Sequence, residues 1–170
     1  IESVTAGVGG VTNTYIALGG DGQFNSTSNT FVAWYCKANG NSVTDTSGTI
    51  TSQVSAGTTQ GISIVTYTGN GVSGATVGHG LGVVPKMIIG ISRTVAATNR
   101  QVYNGNLAAG FSTQLNLTAA SASSPTVWTS TLPTSSVFSV GTASATNSSG
   151  GTHVAYCFAE VDGFSKIGTY

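Results

Sequence analysis

Three groups of residues in this chain have the types and spacing to do chemistry. Gly69-Asn70-Gly71-Val72-Ser73-Gly74 follows an apolar run and matches the G-x-G-x-x-G turn that holds a dinucleotide pyrophosphate. That chemistry needs a helix opening at the glycines, to present N–H groups to phosphate, and an acid about twenty residues on. Here Gly78, Gly80 and Gly82 follow instead, and the residues at the acid's position are Ser92, Arg93 and Thr94. The motif therefore reads as a turn. His79 and His153 have no Cys, Asp or Glu at ligand spacing, so no metal site is expected. Glu160 and Asp162 share parity on one strand, as paired glycosidase carboxylates do, but they precede an Asp162-Gly163 turn and read as charges guarding a strand end. Serines abound, yet Asp21, Asp45, Glu160 and Asp162 are too few and too dispersed to complete a nucleophile, base and acid set. No catalytic residue and no cofactor are expected.

Binding is the better prospect. Trp128, Tyr103 and Phe111, with Tyr170, lie in polar surroundings, and exposed aromatic faces stack on sugars or anchor protein contacts. These are the candidate surface-recognition residues, although core packing is the expected role of any one of them. The stretch Gly78-His79-Gly80-Leu81-Gly82, closed by Pro85, reads as a structural corner between two sheets. Its glycines permit positive φ or close backbone approach, and Pro85 fixes the entry to the next strand. His79 would be held by backbone carbonyls, with Leu81 packed inward. The triplets at Asn25, Asn116 and Asn147 match the N-glycosylation pattern, as expected by chance where 48 of 170 residues are Ser or Thr.

The elements that position these residues follow from composition. Five basic and five acidic residues give a net charge of zero, against roughly one-quarter charged residues in an average domain. Scattered Lys and Arg exclude a nucleic-acid footprint and weaken steering toward acidic surfaces. No run of apolar residues is long enough to insert in a membrane. Cys36 and Cys157 both sit in apolar runs and are expected as buried thiols rather than a bridge. The chain opens at Ile1 with neither Met nor a signal-like segment, as a processed product or part of a longer chain would.

Thr, Val and aromatic residues favour strands, and 24 glycines serve turns. Short apolar runs between turn signals predict strands near 12–18, 31–38, 48–54, 61–68, 74–78, 86–93, 100–103, 112–118, 126–132, 136–141, 152–160 and 164–169. About ten to twelve such strands predict a single all-β domain over 1–170, a two-sheet, jelly-roll-like β-sandwich. Four runs, at 31–36, 62–67, 87–89 and 154–158, are apolar at both parities and are expected as central strands covered on both faces. The segment 118–125 is the expected long surface loop.

Over 30–92 and 152–170 the chain resembles a domain recurrent in tailed-bacteriophage virion proteins, notably those of marine phages. The resemblance rests on Thr30-Phe31-Val32-Ala33-Trp34, on 61–71, on the block from Thr76 through His79-Gly80-Leu81 and Pro85-Lys86-Met87 to Ile89, and on 156–166. The chain departs from it at Tyr35-Cys36, where the family commonly has a second Trp, and at Gly90-Ile91-Ser92-Arg93, which is less charged. The resemblance implies a virion structural protein on the particle surface, as a capsid decoration, fibre or tail-fibre element. Its expected partners are copies of itself, other virion proteins and a host surface glycan. The rival expectation is a secreted carbohydrate-binding or adhesin-like module with an extracellular location. A polysaccharide depolymerase acting through Glu160 and Asp162 comes third.

Overall fold

The computed structural model describes residues 8–11, 16–20, 25–31 and 41–168. Two compact units, Ile1–Cys36 and Lys37–Tyr170, divide the chain that the sequence reading treats as one domain. In the first, β1 (Val8–Val11) pairs antiparallel with β2 (Ile16–Leu18). The expected strand at 31–38 lies, apart from Phe31, outside the described residues, and so does Cys36.

The second unit is an all-β sandwich of unequal layers. Its large antiparallel sheet is built from β3 (Val43–Asp45), β4 (Ser52–Gly57), β5 (Ile62–Thr68), β7 (Met87–Ser92), β8 (Gln101–Asn104), β9 (Phe111–Gln114), β10 (Ala122–Ser123) and β12 (Thr152–Phe158). Opposite it lie a ribbon of β6 (Ala75–Gly78) and β11 (Val137–Val140) and two single-turn helices, α1 (Pro125–Trp128) and α2 (Ser144–Asn147). In the large sheet the order is β10-β9-β8-β7-β12-β5-β4-β3. Turns join β3, β4 and β5 as neighbours and β7 through β10 as neighbours. The last strand, β12, fills the gap between the two sets. Among the described residues the sheet's edges are the very short β3 and β10, a form that limits edge-to-edge pairing.

The three central strands β5, β12 and β7 are the described members of the four runs that are apolar at both parities. Their inward residues Val65, Ala155, Cys157 and Ile88 are fully buried, each large aliphatic contributing about 1.5–3 kcal/mol by leaving water. Their outward residues are only half-buried, so the expected cover on both faces is corrected to one. The outward set is apolar because it packs sideways: Tyr156 lies between Ile64 and Ile89, and Phe158 between Ile62 and Met87.

Two other expectations are corrected. Residues 125–128 form α1 instead of the start of a strand, because Pro125 at the first helical turn presets a helical φ. Thr129, at φ 44°, ends that turn at once. Within 164–168 there is no strand, only a bridge between Val161 and Ser165. The loop at 118–125 is largely exposed, though Ala122–Ser123 pairs with β9.

Candidate functional site

The glycine-rich turn has its donors already engaged. Asn70 and Gly71 donate their N–H groups to Asn147 Oδ1 at 2.9 and 3.3 Å, and Gly69 N–H donates to Gly151 O. Asn147 Nδ2 donates in turn to Val72 O and Gly141 O at 3.0 and 2.7 Å. Strand β6 follows the turn, not a helix. No cradle of free N–H groups is left for a pyrophosphate. Asn147 is wholly buried, so its place in an Asn-Ser-Ser triplet marks a clamp and not a glycan acceptor. Sequence reasoning missed this role, because an Asn that closes a one-turn helix looks in sequence like any loop Asn.

The Gly78–Pro85 segment leads from β6 in the ribbon to β7 in the large sheet. His79 is fully buried there. Its Nε2 lies 3.1 Å from Thr134 O, and Leu81 N–H donates to Nδ1 at 3.2 Å. These partners make Nε2 the protonated nitrogen and leave the ring neutral. Burial pushes its pKa down, against the hydrogen bond to Thr134 and the nearby charge of Asp45. Both ring nitrogens are occupied by backbone, so His79 has none left to act as a general base. Leu81 and Pro85 are buried, and Gly80 and Gly82 adopt φ of 65° and 73°.

Of the candidate recognition aromatics, Trp128 and Tyr103 take the core role and not the surface one. Trp128 (3% exposed) packs edge-on to Phe138 at 6.3 Å and over Gly90, where a side chain would strike its ring. Tyr103 is buried as well, and burial raises its phenol pKa. Phe111, at the start of β9, is half-buried. Trp128 and Tyr103 are thus core residues and present no face to a ligand. Although its sequence neighbours are polar, Trp128 is buried because α1 turns it inward.

Glu160 is engaged at the end of the sheet. Glu160 accepts from Ile167 N–H at 3.1 Å and from Lys166 Nζ at 3.2 Å, which together lower its pKa and hold the tail against the sheet end. Among the described residues no cluster of His, Cys, Asp and Glu converges to hold a metal, and no helix is long and apolar enough to cross a membrane. Cys157 is a free, buried thiol between Ser63 and Ile88, its pKa pushed up to about 12 by burial. Tyr156 turns to the opposite face.

What remains is the outward face of the large sheet. Ile62, Ile64, Met87, Ile89, Val154 and Phe158 form its half-buried middle. At the tail end this face runs into an apolar hollow of about 210 Å³ bounded by Met87, Phe158, Ile167 and Phe164. Phe164 is 69% exposed. At the other end the face becomes polar, in a hollow of about 200 Å³ where Thr51, Gln53, Thr66, Thr68 and Thr152 meet Arg93.

A family model described as a domain of unknown function (DUF7483) matches residues 3–170. No curated protein and no solved structure matches the chain.

Proposed function

The chain belongs to the DUF7483 family of domains of unknown function, and we propose that it is a virion structural protein, a capsid-decoration, fibre or tail-fibre element that assembles as a homo-oligomer on the particle surface. The resemblance of 30–92 and 152–170 to phage virion domains supports the setting. The observation that carries assembly is the apolar outward face ending in a hollow beside the exposed Phe164. A second copy of the chain is the occupant that fits best. The chain's net charge is zero, so identical copies meet without repulsion. A protruding aromatic next to an apolar hollow is the kind of anchor that dominates an interface once desolvated.

Sedimentation velocity of the whole chain over a range of concentrations tests this. The expected result is a discrete oligomer whose association weakens at least about tenfold in Phe164→Ser, as for an interface anchor. A monomer at all concentrations overturns the assembly. Cryo-electron microscopy of particles from the native source tests the setting, and finding the chain soluble and unconnected with particles overturns it. The rival carbohydrate module, as first framed, has lost its anchor, because Trp128 is in the core.

A further inference from the structure

We propose that the polar hollow at the Arg93 end of the large sheet is a binding site for a carboxylate-bearing saccharide. Its floor is set by strand register. Gln53 pairs with Thr66, Thr66 with Val154, and Thr68 with Thr152, so these side chains share the outward face. Arg93 N–H donates to Thr152 O at 2.8 Å, which extends the ladder and brings the guanidinium to the same rim.

The outward-facing threonines and Arg93 are the unengaged polar groups here, while Ser52, Tyr67 and His153 of the lining are bonded inward. The hydroxyls of Thr51, Thr66, Thr68 and Thr152 make no hydrogen bond within the protein among the described residues. Gln53 donates its amide to Thr44 Oγ1 and keeps its carbonyl oxygen as an acceptor. Arg93 has no ion-pair partner among the described residues, the one salt bridge there being Lys166 with Glu160. No acid lines the hollow, since Asp45 turns to the other side of the sheet toward Gly78.

Ligand class follows from that inventory. A single guanidinium with no counter-ion matches one carboxylate in a forked geometry. Hydroxyls that both donate and accept match the hydroxyls of a sugar ring. A nucleotide is a poorer fit, because no lysine and no glycine-rich turn of free N–H groups adds to the one Arg. At about 200 Å³ the hollow is below the span of a drug-sized pocket and suits one pyranose-sized ring. Val154 and Tyr156 continue the same face, giving the next ring an apolar surface.

The test is ligand-observed and protein-observed NMR of the whole chain with uronate- and sialate-terminated saccharides, their neutral counterparts and sodium sulfate. An acidic saccharide is expected to shift resonances around Thr66, Thr68 and Arg93. Neutral counterparts should bind about tenfold more weakly, the size of one charge-assisted contact. Arg93→Gln should erase the preference for acid while leaving the thermal midpoint unchanged, as its side chain is exposed. Thr66→Val should weaken the acidic saccharide without restoring neutral binding. No shift with any acidic saccharide at millimolar concentration overturns the proposal. So do equal binding of acidic and neutral sugars, and sulfate binding as tightly as the saccharide. The experiment reads ligand contact and not association, so its failure is separate from failure of the assembly reading.

Discussion

Asn147 uses its full hydrogen-bonding capacity on four backbone groups, from Asn70, Gly71, Val72 and Gly141. Truncation strands those groups where water has little access, and an unpaired buried group costs more than a hydrogen bond gains. Asn147→Ala is therefore expected to cost on the order of 2–4 kcal/mol in urea unfolding. A loss below about 0.5 kcal/mol, the level of a surface substitution, would show that water replaces the clamp. Tyr67 is tied in a related way. Its hydroxyl donates to Thr146 O at 2.7 Å, its ring stacks on His153 at 5.2 Å, and burial raises its pKa.

Among the elements, the corner at 79–85 and the approach of α1 to the end of β11 are the most sensitive. Leu81→Ala should cost about 2–5 kcal/mol, as a buried leucine does. His79→Ala is expected to cost roughly 2–4 kcal/mol, because it opens a cavity and also leaves Leu81 N–H without its acceptor. Chemical denaturation of both variants checks this, and a neutral Leu81→Ala would remove the corner's packing role. Gly141 is a second test. A Cβ there would overlap the backbone carbonyl of Thr126, which cannot rotate aside. Gly141→Ala should lose at least about 2 kcal/mol through overpacking, while Gly168→Ala, which meets nothing, should stay within about 0.5 kcal/mol. Equal midpoints for the two would contradict the close approach of α1.

For the whole molecule, buried titratable groups set a pH window. Burial lowers the pKa of His79 and His153 below the ordinary value of 6.5. In the unfolded chain they take up protons first as pH falls, so stability is complete above about 6.5 and declines below it. Cys157 is shifted the other way, from 9.0 to about 12. Its contribution is complete below pH 9.0 and declines above, as the unfolded thiol ionises while the folded one cannot. Urea midpoints measured from pH 5 to 10 should form a plateau between about 7 and 9 with a fall on either side. His79→Gln should flatten the acid limb. A midpoint that rises steadily toward pH 5 contradicts the assignment of both histidines as neutral.

The sequence by itself determined the all-β sandwich and, among the described residues, three strands at the middle of its large sheet. Both are local properties: β-branched runs bounded by Gly, Asn and Pro specify short strands, and strands apolar at both parities must lie away from the edges. The middle of the large sheet, β5-β12-β7, is where 62–67, 154–158 and 87–89 were legible in that way. Only the tertiary structure decided which side chains are sites. Trp128 and Tyr103 stand among polar neighbours yet face the core, because a one-turn helix and a strand partner set their direction. Asn147 looks like a loop residue and is a buried clamp. Arg93 and the threonines of the polar hollow are far apart in sequence, and only the registry of β4, β5, β12 and β7 brings them to one surface. Hydrophobic pattern is written residue by residue along the chain. Burial, hydrogen-bond completion and convergence depend on partners that the fold brings in from other elements.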